Sequence, residues 1–204
     1  MDITHLNLGP LETNCYILSS AGVASVIDPA GEGNTILNEI EKKNAALKYI
    51  IYTHCHPDHT AASGMLKNNT GAEIIAGEGE DKVIEQFKML HIQGINCDTA
   101  EPERFVSDGD ELVLGNKSLK IIATPGHSPG GISIYVPGML FCGDTVFYGS
   151  AGRVDLPGGD MRALEISVKK KIFSLPDNTV IYPGHGPHTT VKQEKNNNPF
   201  FSLK

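Results

Sequence analysis

Within the run Thr53-His54-Cys55-His56-Pro57-Asp58-His59, three imidazoles and one carboxylate fall between His54 and His59. Imidazole nitrogens and carboxylate oxygens together are the ligand set of divalent transition metals. The run closes an apolar stretch, Tyr49-Ile50-Ile51-Tyr52, which has the length and composition of a short buried strand. On extended backbone alternate side chains point the same way, so His54 and His56 share one side and Cys55 points to the other. Pro57 suits the first turn of a helix, which places Asp58 and His59 in that turn. One strand-to-helix loop thus offers two His to one ion and an Asp-His pair to a second. A turn of merely solvated polar residues would not concentrate three of the chain's 8 His. Cys55 is a metal ligand by type, but its alternation with His54 and His56 gives it a structural reading.

A centre holding two ions needs further ligands, and three places can supply them. They are Thr124-Pro125-Gly126-His127, Cys142-Gly143-Asp144-Thr145 and Tyr182-Pro183-Gly184-His185. Each puts a polar residue at the end of a strand-like run beside Gly or Pro, and Gly lets backbone bend sharply near an ion. With the first loop they make five imidazoles and two carboxylates, a set that suits two divalent ions sharing a bridging carboxylate.

The elements that must hold these residues can be traced along the chain. Strands are predicted over Thr4–Leu8, Cys15–Leu18 and Ala24–Asp28, and a helix over Glu32–Lys43 with Ile36, Leu37 and Ile40 at helical spacing. The strand Lys48–Tyr52 delivers the first loop. A helix over Asp58–Asn68 follows, stopped near Gly71. Then come a strand over Glu73–Ala76, an amphipathic helix over Glu80–Leu90 and a long loop over Gly94–Glu103, of the kind that walls a cleft. The second half is denser in hairpins. Glu111–Leu114 and Ser118–Ala123 flank Gly115-Asn116-Lys117, and Gly131–Val136 and Met139–Cys142 flank Pro137-Gly138. A helix over Asp160–Phe173 and a strand over Thr179–Tyr182 complete the series. Hairpins mixed with helices that separate strands exclude a purely parallel sheet and place helices on the outer faces of sheets.

The 204 residues, 40% hydrophobic and 20% charged, suit one globular domain spanning 1–204 with a substantial core. A net charge of -7 argues against a nucleic-acid partner. Neither an export signal nor a membrane span is evident, so a cytoplasmic protein without a membrane partner is expected. Cys15, Cys97 and Cys142 show no metal-binding spacing and read as reduced and structural. His5 and His91 carry no assigned role; His188 reads as a surface residue, with lining of the pocket as the alternative.

The order and spacing of these motifs resemble the metallo-β-lactamase fold superfamily, whose members carry HxHxDH, then a His, an Asp and a His. The resemblance runs from about Asn14 to Pro199. It implies an α/β (α+β) fold, an αββα sandwich of two mixed sheets flanked by helices, with the metals at one edge between the sheets. It also implies that His54, His56 and His127 hold one ion, that Asp58, His59 and His185 hold the second, and that Asp144 bridges. Within the superfamily, TPGHSPG, FCGDT, YPGHG and the tail Asn198-Pro199-Phe200 are similar to glyoxalase II and its small relatives.

Two departures bear on substrate. Glyoxalase II carries a C-terminal helical domain with basic residues for the glutathione carboxylates, whereas here only residues 186–204 follow His185, so that domain is expected to be absent. The GKFYEG-like segment of glyoxalase II is replaced by Gly152-Arg153-Val154-Asp155-Leu156-Pro157-Gly158-Gly159. Arg153 is a candidate contact for an anionic substrate group, or an ion-pair partner of Asp155.

The reaction this implies is hydrolysis of a small-molecule thioester by a hydroxide between two divalent ions. Zinc is the first expectation, with iron or manganese as alternatives, and Asp58 is both ligand and orienting catalytic group. The Gly152–Asp155 segment also resembles persulfide dioxygenases, which use one iron on the equivalents of His54, His127 and Asp144. Lactone hydrolysis is a further alternative. Acyl group, thiol carrier and oligomeric state stay open at the level of sequence.

Overall fold

The structure, a computed structural model, describes residues 1–88 and 98–201. The first half lays down one six-stranded sheet: β1 (Asp2–Leu8), β2 (Thr13–Ser20), β3 (Val23–Ile27), β4 (Ala46–Ile51), β5 (Glu73–Gly77) and β6 (Arg104–Val106), in that spatial order. β1 to β3 are antiparallel neighbours, and β3 to β6 run parallel. Helix α1 (Gly33–Lys42) connects β3 to β4; α2 (Pro57–Thr60) and α3 (Ser63–Thr70) connect β4 to β5, and α4 (Asp81–Lys88) follows β5. The second half forms another six-stranded sheet from β7 (Glu111–Leu114), β8 (Lys117–Ala123), β9 (Ile132–Val136), β10 (Met139–Gly143), β13 (Val180–Pro183) and β14 (Thr189–Thr190). Between β10 and β13 lie a two-stranded hairpin, β11 (Val146–Phe147) and β12 (Ser150–Ala151), and helix α5 (Met161–Ile166); α6 (Val191–Asn197) is the last of the described elements.

Three layers of apolar contact show why these elements stack. Alternation along β2 sends Tyr16 and Leu18 to one face, and along β4 sends Tyr49 and Ile51 the same way. These pack with Leu112, Leu119, Ile121, Ile134 and Phe141 of the second sheet. The opposite faces bury Cys15, Ile17 and Ile50 under α1, α3 and α4 through Ile36, Ile40, Leu66 and Val83. Outside the second sheet, Leu140, Cys142 and Ile181 pack on Leu164, Val168 and Phe201. The result is the αββα sandwich of two mixed sheets that the sequence implied.

Several local expectations are corrected. The single helix expected over Asp58–Asn68 is broken at Ala61-Ala62, because those backbone groups bond elsewhere: Ala62 N–H to Pro29 O (2.9 Å) and Ala61 O from Asp98 N–H (2.8 Å). Gly71, at φ +70°, stops α3 as expected. The helix expected over Asp160–Phe173 starts with Asp160 capping Ala163 N–H (3.0 Å), but leaves α geometry at Ser167 for a π turn and a 3₁₀ turn. There Ser167 Oγ donates to Pro125 O (2.7 Å), tying the helix to the loop before His127. Strands β6, β11, β12 and β14 and helix α6 were not legible; most are too short to show a period. Of the earlier assignments, His91, Cys97 and the first part of the loop over Gly94–Glu103 lie outside the described residues. No helix among the described residues is long and apolar enough to cross a membrane.

Candidate metal centre

Strand direction explains why residues far apart in sequence meet. In the second sheet β8 and β10 are each antiparallel to β9, and β13 is parallel to β10, so all three point the same way. His127, Asp144 and His185 therefore leave the same edge. In the first sheet β3, β4 and β5 are parallel, and their carboxyl ends bring Asp28, the His54–His59 loop and Glu80 to one edge. The two edges are joined directly. Ile132 N–H donates to Thr53 O (2.8 Å), and Asn14 N–H donates to Gly184 O (2.7 Å). Tyr16, packed edge-on against Phe141, donates its hydroxyl to Pro183 O (2.7 Å) and fixes the turn before His185.

All seven residues singled out as ligands come together. His54, His56 and His127 form one group and Asp58, His59 and His185 another, with the ligand atoms of each group within 4.8 Å of one another. Asp144 lies between them: Oδ1 is 3.4 Å from His59 Nε2, and Oδ2 is 3.6 Å from both His127 Nε2 and His185 Nε2. Asp58 Oδ2 is 3.3 Å from His185 Nε2 and 3.5 Å from His59 Nε2. For ligands 2.0–2.1 Å from a tetrahedral ion, neighbouring ligand atoms sit roughly 3.4 Å apart. The observed spacings match that edge length. Three buried polar atoms at the centre, His54 Nε2, His59 Nε2 and Asp144 Oδ1, have no hydrogen-bond partner among the described residues, while His56 turns Nδ1 to His127 Nε2 at 3.0 Å. Buried polar groups are normally satisfied, so atoms left this way and aimed at one another fit a cation between them. The clusters are consistent with a dinuclear metal site.

Electrostatics divide the site. Burial keeps His54 well below its ordinary pKa, lowers His56 to about 3 and lowers His127 as well, so all three stay neutral with lone pairs free, as ligation requires. In the other group, Asp144, Asp58 and Asp28 outweigh burial and raise His59 well above the ordinary value. Against the opposing effect of burial, His59 and His185 hold the Asp58 carboxyl far below the usual range, and His59 holds Asp144 below it. Positive charge is favoured there.

Two carboxylates escaped the sequence reading. Asp28, buried and at φ +52°, accepts from Thr53 N–H (2.7 Å), Thr53 Oγ (2.6 Å) and His59 Nδ1 (2.9 Å). It orients His59 so that Nε2 faces the centre, a supporting role well known for metal-bound imidazoles. Asp28 was read only as the end of a strand before Pro29, although it carries the same signal as the other sites, a polar strand end beside Pro. Glu80, also buried, sits in an acidic run that reads as a solvated helix start.

Arg153 meets the site through its backbone. Its carbonyl accepts from His127 Nδ1 (2.7 Å), while its guanidinium makes two bonds to exposed Asp155 (2.7 and 2.8 Å). Arg153→Ala is therefore expected to leave ion content unchanged, as elemental analysis of the purified variant would show; loss of an ion would assign the guanidinium a role at the centre. His188 is exposed, its ring 4.5 Å from that of Tyr182, and His5 bonds Asn14 Oδ1 (2.7 Å). Cys15, Cys55 and Cys142 are free and buried, and Cys55 packs in the core between the first sheet and its helices, outside both candidate ligand groups.

An αββα sandwich with paired His/Asp clusters at one edge defines a class of metal-dependent proteins. The family model described as the metallo-beta-lactamase superfamily matches residues 8–185, and the chain belongs to that superfamily. It is 34% identical over 213 residues to hydroxyacylglutathione hydrolase GloC of Haemophilus influenzae, covering all of both chains. Among solved structures it resembles BLEG-1 B3 metallo-β-lactamase (TM-score 0.88, 32% identity, 98% of this chain and 99% of that one). It also resembles TTHA1623 in a di-iron-bound form (TM-score 0.84, 32% identity, 97% and 100%).

Proposed function

We propose that residues 1–204 form one dinuclear metal-dependent hydrolase domain acting on small-molecule thioesters, with hydroxyacyl-glutathione or a related acylated thiol as the substrate class. The observation that carries this reading is the pair of ligand groups with Asp144 between them, together with the partnerless buried Nε2 atoms of His54 and His59. Ions bound there would supply Lewis acidity and a nucleophile of lowered pKa. His54, His56 and His127 would hold the first, Asp58, His59 and His185 the second, and Asp144 both; zinc is the first candidate, and the di-iron form of TTHA1623 keeps iron in play.

The chain's own residues would do the rest. Asp58 is partly exposed, and its Oδ2 lies 3.4 Å from the Thr13 hydroxyl, so it is placed to orient the nucleophile. Phe147 stands beside His185 (ring centroids 6.2 Å apart), and the neighbouring Tyr148 is exposed, giving the substrate an apolar wall. The hairpin carrying them is held by buried Glu194, which accepts from Gly149 N–H (3.0 Å). A thiolate, from a thiol of pKa near 8.5, leaves without the general acid that an amine demands, and the similarity to GloC supports the same substrate class. Three buried free thiols and a net charge of -7 lead us to propose a cytoplasmic protein without a nucleic-acid or membrane partner.

The test is elemental analysis paired with a thioester, lactone and persulfide panel. Two ions per chain and thioester turnover are expected. One iron with persulfide-dependent oxygen consumption would replace this reading with the dioxygenase one. Because Arg153 is already paired with Asp155, recognition of the glutathione carboxylates should be weak. Thioesters of smaller thiols should fall within about 10-fold of S-lactoylglutathione in kcat/KM. A low KM reserved for the glutathione ester would instead reveal a dedicated carrier surface.

A further inference from the structure

Glu80 lies just beyond β5 and is fully buried. One carboxylate oxygen accepts Cys55 N–H (2.6 Å) and the other accepts Gly130 N–H (2.9 Å). Cys55 stands between His54 and His56, and Gly130 belongs to the loop that carries His127. A single side chain therefore clamps the two loops that furnish the three-imidazole group. Where those loops meet, His56 Nδ1 and His127 Nε2 are 3.0 Å apart. The backbone is cleared for this clamp. A Cβ at Gly77 would strike Gly130 O, and one at Gly130 would lie 2.9 Å from Glu80 Cγ. Burying a carboxylate is costly unless charge-assisted hydrogen bonds compensate it, and here that compensation comes from the two ligand loops.

We propose that Glu80 is the positioning residue of the three-imidazole site: it sets the spacing of His54 and His56 against His127, and so governs the first ion's affinity without touching it. The inference rests on the dinuclear reading. Asp28 does the corresponding work for His59 in the second group, so the two ions are supported by separate carboxylates and can be weakened separately. Burial raises the pKa of Glu80, in keeping with a group held by amides and not by a neighbouring cation.

The experiment titrates metal-free wild type, Glu80→Gln and Glu80→Asp with Co²⁺, following absorption and chelator competition. Each is repeated in a His59→Ala background, which isolates the three-imidazole site. Gln keeps the shape but turns an NH₂ toward one amide; Asp keeps the charge but is a methylene too short to span both. Both should weaken the first ion about 10–100-fold, the range seen when partners of metal ligands are changed, and leave the second ion near its wild-type affinity. Wild type binding fewer than two ions would sink the dinuclear reading itself. Wild type binding two, with variants that match it at both sites, would overturn the inference alone. Equal weakening of both ions, or failure of both variants to fold, would also overturn it by making Glu80 a general brace of the fold.

Discussion

Replacing His59 by alanine is expected to leave a folded protein that holds one ion and hydrolyses thioesters far more slowly. His59 is fully buried, with Nδ1 on Asp28 and Nε2 facing Asp58 and Asp144 at 3.5 and 3.4 Å. Asp28, the carboxylate behind His59, is committed to Thr53 through two hydrogen bonds and is not free to take its place. Changing a partner behind a metal ligand typically costs ~10–100-fold, and removal of the ligand itself should exceed that. The variant also leaves the Asp28 carboxylate one partner short, so part of the loss will be stability. Circular dichroism and first-site ion content close to wild type must accompany the rate measurement. If persulfide-dependent oxygen consumption persisted on one iron, the centre would be that of a dioxygenase, which needs only His54, His127 and Asp144. Full thioesterase activity in a well-folded His59→Ala protein would defeat the dinuclear mechanism.

A single methyl group at Gly184 should do comparable damage from the backbone side. The Cβ of Gly184→Ala would collide with Asp144 Oδ1 and lie 2.7 Å from His59 Cε1. Both contacts belong to candidate ligands; His59 is held in place by Asp28, and the turn at Gly184 is fixed by hydrogen bonds to Asn14 and Gly143. The strain cannot be relieved by rotating an exposed side chain. Overpacking of this kind costs about 1–3 kcal/mol in stability, and here the displaced atoms are the carboxylate proposed to bridge and an imidazole of the second group. The expected result is a modest fall in Tm with loss of the second ion and of most activity. A Gly184→Ala protein with two ions and normal turnover would show that Asp144 does not sit where the geometry places it.

The positions of the seven candidate ligands were legible because each sits in a short local pattern. His54, His56, Asp58 and His59 are consecutive or alternate residues of one loop, while His127, Asp144 and His185 each follow a strand-like run beside Gly or Pro. The sandwich was legible through the family resemblance that those motifs carry; the order of hairpins and strand-separating helices by itself only excluded a purely parallel sheet and placed helices on outer faces. Breaks in helices were not. Thr60 to Ser63 reads as good helix, and only the bonds of Ala61 to Asp98 and of Ala62 to Pro29 divert it.

The supporting carboxylates belong to the same category. Asp28 and His59 are 31 positions apart, and Glu80 stands 25 positions from Cys55 and 50 from Gly130. Nothing local in Asp28-Pro29 or Glu78-Gly79-Glu80 says which loop each will meet. The sequence by itself determined the chemical types and the strand ends that present them, because those depend on neighbours along the chain. Which carboxylate steadies which imidazole was decided only by parallel strands placing their carboxyl ends side by side, and by two sheets meeting edge to edge, where distance along the chain no longer matters.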